Sequence, residues 1–105
     1  MTQPRRGEVW WGESPDSKGR PYLVLTRDAA IPVLRRVLTA PVTRTVRGIP
    51  TEVPLGPPEG LPTECVAALD SMSHFPKTML VRRMGSLPVS RVREMCEAMR
   101  AAIDC

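Results

Sequence analysis

Few groups in this sequence could do chemistry. It contains no Gly-rich phosphate loop, no His/Cys ligand cluster and no nucleophile elbow, which sets aside the commonest nucleotide, zinc and serine-hydrolase sites. The single histidine, His74, could in principle serve as a general base, because imidazole titrates near neutrality. It lies in a polar stretch, Ser71-Met72-Ser73-His74, that reads as a loop, where a lone histidine is more often structural or solvent-facing. Two short segments are more telling: Gly19-Arg20-Pro21, opening a β-rich run, and Ala40-Pro41-Val42-Thr43-Arg44-Thr45, closing another. A guanidinium such as that of Arg20 offers a planar fork of donors to phosphate oxygens and stays protonated. A hydroxyl such as that of Thr43 can hydrogen-bond a phosphate without an unusual pKa. Taken singly, each also has an ordinary explanation, a surface arginine and a β-branched strand residue.

The elements that must carry these residues fit one domain, residues 1–105, with one modest core. Apolar residues at 42% and charged residues at 25% are ordinary globular usage. No apolar run approaches the ~18–20 residues needed to cross a bilayer, and Met1 to Gly7 is basic and polar, so no membrane association is expected. Cys65, Cys96 and Cys105 are three thiols at wide spacing, fitting neither a disulfide framework nor a paired zinc motif. Reduced thiols, a cytoplasmic location and no metal or cofactor are the expectation. The net charge of +4 is uneven: residues 1–50 hold nine Lys/Arg against four Asp/Glu, and residues 51–105 hold six against seven. A cationic face toward a polyanion such as nucleic acid follows, although a solvated basic surface explains the charge equally well.

Glu8-Val9-Trp10-Trp11 and Tyr22-Leu23-Val24-Leu25-Thr26 read as strands bounded by Gly or Pro. A third strand is expected within Val33 to Thr43, ending near Thr45, with Pro41 at an edge or bulge. Thr51, Val53 and Leu55 alternate with Glu52 and Pro54, and Cys65 to Leu69 supplies another apolar run beyond the Gly56 to Gly60 breaker. Val81 to Leu87 gives one more strand, with Gly85 marking a bulge or close backbone approach. After Pro88 the period changes: Val92, Met95, Cys96, Met99, Ala102 and Ile103 recur at helical steps. About six short strands followed by one amphipathic helix predict an α+β, mainly β fold, a small antiparallel barrel.

In order, Arg6-Gly7-Glu8-Val9-Trp10, Gly19-Arg20-Pro21-Tyr22-Leu23-Val24-Leu25 and Ala40-Pro41-Val42-Thr43 resemble successive blocks of the MazF/PemK toxins. Gly48-Ile49-Pro50-Thr51-Glu52-Val53, Cys65-Val66-Ala67-Ala68-Leu69-Asp70 and Met84-Gly85-Ser86-Leu87 resemble later ones, so the likeness covers roughly residues 5 to 103. Each block alone is weak; the ordered set is specific. The resemblance implies an SH3-like barrel of the CcdB/PemK/MazF type with a C-terminal helix, and a homodimer. It further implies a metal-independent, sequence-selective endoribonuclease that cleaves single-stranded RNA, mRNA or tRNA, and is inhibited by the C-terminal segment of a cognate antitoxin.

By position, Arg20 corresponds to the family's catalytic arginine and Thr43 to its catalytic hydroxyl residue. The chemistry would be attack of a 2′-OH on the neighbouring phosphorus, leaving a 2′,3′-cyclic phosphate, with Arg20 stabilising the charge that builds on phosphate oxygens. Candidate RNA contacts are Trp11, Asp16, Arg44, Asp70 and Ser71. Trp11 could stack on a base, though a half-buried core position is its ordinary fate. Family members often show an acidic residue followed by Gln where this chain has Asp70-Ser71. Asp16 stands in the Gly12 to Gly19 loop, which is shorter than in many relatives and is expected to gate the groove. Arg44, Arg47, Arg82 and Arg83 could follow the RNA backbone. Two other functions fit the same scaffold: a CcdB-like gyrase poison, disfavoured because the chain ends Ala101-Ala102-Ile103-Asp104-Cys105 without a tryptophan, and a catalytically silent RNA-binding module.

Overall fold

The β-rich runs pair antiparallel in the structure, a computed structural model in which residues 3–104 are described. Strands β1 (Glu8–Ser14) and β2 (Ser17–Val24) form a hairpin whose connection is the two residues Pro15 and Asp16, with Ser14 opposite Ser17. The stretch from Gly12 to Gly19 is therefore two strand ends around a tight turn, not a loop. Pro15 presets its own φ and Asp16 is a favoured turn residue, which shortens the connection to its minimum. Strand β3 (Arg36–Thr43) lies beside β2; the chain first makes a 3-10 turn at Ile31–Val33, so the strand starts later than its apolar pattern suggested and stops at Thr43. Strands β4 (Glu52–Leu55), β5 (Cys65–Ala68), β6 (Ser73–Pro76) and β7 (Leu80–Ser86) complete a seven-stranded sheet in the order β4-β5-β3-β2-β1-β7, with β6 also paired to β3. Helix α1 (Val92–Ala102) follows.

The expected architecture, mainly β with one C-terminal helix, is what these elements build, with seven strands in place of six. The extra strand is β6, in the stretch read as a polar loop around His74. Ser73 and His74 are exposed and give no apolar period, yet their backbone pairs with Thr39 and Leu38. Phe75 anchors the strand by stacking on Tyr22, with ring centroids 4.5 Å apart and planes at 29°.

Alternation sends successive residues to opposite faces of the sheet, and both faces are covered. Val9, Leu23 and Leu25 join Val53, Leu55, Leu69, Met95 and Ala98 in the larger core, under α1. Their neighbours Trp10 and Val24 join Ile31, Val37 and Leu80 in a smaller one, flanked by Tyr22 and Phe75. The single core expected from chain length is thus two cores sharing one sheet.

Closure comes from a contact without side chains. Strand β7 carries a bulge, because Val9 faces Gly85 while Trp10 faces Arg83, leaving Met84 as the extra residue. Beside it, a Cβ on Gly60 would strike the Met84 carbonyl and a Cβ on Gly85 would strike the Glu59 carbonyl, so both positions admit only glycine. Gly60 also has φ +94°, a left-handed conformation that disfavours a side chain. The backbone joint brings the 3-10 turn Pro57–Glu59 against β7. Arg91, at the foot of α1, locks the same corner. Its Nη2 donates to the Pro54 carbonyl at 2.8 Å and to Glu94 at 2.7 Å, and its Nη1 lies 3.4 Å from the buried Glu59 carboxylate.

The β2–β3 ladder ends where a donor is missing. Leu25 N–H donates to the Leu38 carbonyl at 2.8 Å, and Leu23 faces Ala40 two residues along. Antiparallel rungs recur every second residue, so the next would need an N–H at Pro21 to meet the Val42 carbonyl. Proline has none. Pro41 removes a second donor, on the opposite edge, where β3 changes partner from β6 to β5 across the 3-10 turn Leu69–Ser71. Beyond the Tyr22–Pro41 pair the paired neighbour of β3 is β5, with Val42 facing Ala67 and Thr43 facing Val66, and the edge toward β2 lacks the Pro21 donor.

Replacing Pro21 by Ala supplies the missing donor and should extend the ladder: amide exchange at residue 21 is expected to be protected, with stability raised by up to about 1 kcal/mol. A residue-21 amide exchanging as fast as an open loop would contradict this account. The Arg91 hydrogen bond and charge hold the Glu94 carboxyl below its usual pKa of 4.5, outweighing the opposing effect of burial. A depressed folded-state pKa contributes stability that is present above the ordinary value and is lost as pH falls through the folded one. Thermal melts of Glu94→Gln should therefore lie below those of the parent at pH 7 and converge with them as the pH falls through the carboxyl's lowered pKa.

Candidate active site

The end of β3 past Pro41 runs beside the start of β2, and the groove there collects several of the residues singled out from the sequence. Continuing the register of Tyr22 opposite Pro41 by two residues sets Arg20 across from Thr43. Both side chains line each of three adjoining clefts. They therefore share one groove, although 22 intervening residues separate them in the chain.

Each is presented for use. Arg20 is exposed, and among the described residues no carboxylate lies within ion-pair distance of its guanidinium. Thr43 is half-buried, and its Oγ1 accepts the Thr45 N–H at 3.1 Å. That bond occupies an acceptor lone pair and leaves the hydroxyl proton to be donated into the groove. Arg44 lines two of the clefts and Lys18 one, adding cations to the same rim. Arg47 sits at the other end, on a loop tied down by Glu52: the carboxylate accepts the N–H groups of Arg47 at 3.0 Å and Gly48 at 2.9 Å. Glu52 points its oxygens at backbone donors, and among the described residues it forms no ion pair with the groove arginines.

The other expected contacts divide. Trp11 lines the groove, half-buried, with Gly19 so close to its indole that a Cβ there would collide with the ring. Ser71 lines the end nearest Arg47. Asp70 lines none of the three clefts; its carboxylate accepts the Thr51 hydroxyl at 2.7 Å. Asp16 is at the exposed tip of the β1–β2 turn and also lines none of them. His74, on β6, is exposed and outside the groove. Arg83 is paired with Glu8 at 2.8 Å and lies outside it too, as does Arg82.

Several lining residues had no signal in the sequence. Leu61, Pro62 and Thr63 follow the Gly56 to Gly60 breaker and reach the groove because the Gly60–Gly85 joint carries their loop there. Met84 arrives through the β7 bulge. Cys65, buried in the wall, has its thiol pushed up by desolvation and by Glu59, against an opposing pull from Arg44, so it stays a neutral thiol. Among the described residues no cluster of three His, Cys, Asp or Glu side chains is placed to hold a metal ion. No helix among them is long and apolar enough to cross a membrane. An exposed guanidinium, a hydroxyl with a free proton and further cations along one groove form a receptor for a chain of phosphates.

Comparison with known proteins points the same way. The PemK-like, MazF-like toxins of type II toxin-antitoxin systems match residues 5–103. Probable endoribonuclease MazF5 of Mycobacterium tuberculosis is 47% identical over 103 residues, covering 97% of this chain and 94% of the relative. Probable endoribonuclease MazF2 of the same organism is 37% identical over 102 residues, covering 96% and 99%. Among solved structures, Mycobacterium tuberculosis toxin MazF-mt6 superposes with a TM-score of 0.84 at 36% identity, over 92% of this chain and 96% of its own. An endoribonuclease from Mycobacterial species, in complex with its cognate antitoxin, gives 0.83 at 26% identity, over 95% and 94%. With the ordered sequence blocks, the curled sheet and this matched span in agreement, the chain belongs to the PemK/MazF family of type II toxin-antitoxin toxins.

Proposed function

We propose that this toxin is an endoribonuclease that cuts single-stranded RNA, mRNA or tRNA, in the cytoplasm without a metal ion, and that it works as a homodimer silenced by the C-terminal segment of a cognate antitoxin. The observation that carries the reading is the shared groove of Arg20 and Thr43, with Arg20 exposed, Thr43 half-buried and, among the described residues, no carboxylate paired with the arginine. The relatives named endoribonuclease, and the structural relative solved with its antitoxin, support the activity and the partner.

Cleavage then needs only the substrate's own nucleophile. The 2′-oxygen attacks the adjacent phosphorus, a P–O bond forms to it, and the bond to the 5′-oxygen breaks, leaving a 2′,3′-cyclic phosphate and a 5′-hydroxyl. The 2′-proton passes to water in the open groove, and water returns one to the departing 5′-oxygen. Negative charge rises on the non-bridging oxygens during this exchange. Arg20 stabilises it with a charge that does not titrate, and Thr43 donates its free hydroxyl proton to the same phosphate. Trp11, Arg44 and Ser71 hold the flanking nucleotides. Asp70 and Asp16, lying outside the shared clefts, are proposed to contact RNA further along the strand.

Arg20→Ala should lower cleavage of a mixed RNA pool by about 10²–10³-fold, the usual cost of one transition-state donor. Because the side chain is exposed, melting should change by no more than about 0.5 kcal/mol. Near-parental cleavage by this variant would remove the arginine from the site. Cleavage in excess EDTA should equal that in buffer, with cyclic phosphate at the new 3′ ends; loss of activity on chelation would defeat the metal-free scheme.

A further inference from the structure

Of the block Gly48-Ile49-Pro50-Thr51-Glu52-Val53, one residue reaches the groove: Glu52 lines the cleft that also holds Arg20, Thr43 and Arg47. Among the described residues it is the only carboxylate lining any of the three clefts. A negative charge at that point repels a chain of phosphates, so on charge alone the groove would be better without it. We infer that Glu52 is a positioning residue for cleavage: by holding the loop that follows β3, its carboxylate aims the Thr43 hydroxyl. The inference rests on the RNA-cleaving reading above and adds the group that sets one of its two reacting side chains in place.

The loop has little else to hold it. Residues 45–50 are exposed, and its apolar side chains Val46 and Ile49 keep 59% and 38% of their surface in solvent, so packing does not fix its path. Among the described residues, the main-chain hydrogen bonds of residues 45–48 run to two side chains. Thr45 N–H donates to Thr43 Oγ1 at 3.1 Å. Arg47 N–H donates to both Glu52 oxygens, at 3.0 and 3.2 Å, and Gly48 N–H to Oε1 at 2.9 Å. Successive amides converging on one oxygen make a nest for an anion, and Gly48 supplies the left-handed turn it needs, with φ +68°.

The anchor itself is part of the sheet. Glu52 opens β4, where it faces Ala68 and its own N–H donates to the Ile49 carbonyl at 3.0 Å. The path from scaffold to reacting group is therefore short: β4 holds the carboxylate, the carboxylate holds the amides of Arg47 and Gly48, and two residues earlier the Thr45 amide occupies the acceptor side of the Thr43 hydroxyl. With that side occupied, the hydroxyl proton points into the groove. Releasing the nest frees the Thr45 amide to drift and the hydroxyl to turn. A reacting group displaced by about 1 Å can lose about 100-fold in rate, whereas loss of a repelling charge acts in the opposite direction, so the sign of the effect separates the two roles.

The test measures kcat and KM separately on a short single-stranded RNA whose cleavage site has been mapped with the parent protein. Glu52→Ala should lower kcat about 10- to 100-fold with KM unchanged or reduced. Glu52→Asp keeps the charge but falls one methylene short of the amides, so it should lower kcat in the same way and serves if the alanine variant does not fold. Glu52→Gln keeps an acceptor oxygen without the charge and should restore kcat to within about threefold of the parent. In single turnover on a Thr43→Ala background, Glu52→Ala should cost less than about twofold more, while on an Arg20→Ala background its full loss should persist. Amide exchange at Thr45, Arg47 and Gly48 should accelerate in Glu52→Ala and stay at parental rates in Glu52→Gln. A Glu52→Ala kcat at or above the parental value would overturn the inference and leave a charge effect alone. A glutamine variant as slow as the alanine one would overturn it too, by making the charge or a proton transfer to the carboxylate responsible, as would parental exchange at Thr45 in Glu52→Ala. Each of these outcomes leaves the nuclease reading intact; a parent protein that cuts no RNA would overturn both.

Discussion

Two imino acids decide where this molecule can bind anything. A sheet of seven paired strands leaves no room for a ligand between neighbours, because every rung draws them to within about 5 Å. At Pro21 the ladder has no donor for β3, and at Pro41 it has none for the other side, where β3 exchanges β6 for β5. The strands stay anchored through the rungs at Leu23 and Leu25, and the fork is the point past Pro41 at which β3 takes β5 as its paired neighbour. Arg20 and Thr43 are the residues immediately past that fork, which makes their spacing a property of backbone pairing, independent of side-chain flexibility.

Charge is arranged around the fork by subtraction. Most described carboxylates are already engaged: Glu8 with Arg83, Asp28 with Arg5, Glu59 and Glu94 with Arg91, Glu97 with Arg93, Asp70 with a threonine and Glu52 with backbone amides. Surface pairs of this kind contribute little to stability, but they settle which cations remain available. Among the described residues Arg20 and Arg44 have no ion-pair partner, so part of the basic surplus seen in the first half of the sequence lies along the groove.

What could be read without coordinates follows from the range of the forces involved. The helix after Pro88, the strands at Glu8, Tyr22 and Cys65, and the bulge at Gly85 were legible because period and local backbone constraint are written into adjacent residues. Gly85 proved to be both alternatives at once, a bulge and a close backbone approach. Strand β6 was not legible, since Ser73 and His74 are exposed and the strand exists only because β3 has an edge to pair with. The same limit applied to the site. Arg20 and Thr43 were found through an ordered resemblance, which is a record of tertiary structure. Leu61 and Thr63 depend on how the sheet closes, and their own sequence neighbourhoods contain no trace of it; for Met84 the only local sign was the bulge read at Gly85. The acid and hydroxyl at Asp70-Ser71 looked equivalent, yet the turn at Leu69–Ser71 sends only the serine to the groove.

The corner locked by Arg91 also bears on how the protein behaves in company. Strand β4 ends the sheet and so exposes a row of main-chain groups that another polypeptide could extend. In its middle, Pro54 has no hydrogen to give and its oxygen is already taken by the arginine. With neither donor nor acceptor to offer at its centre, β4 is a poor template for the addition of another strand.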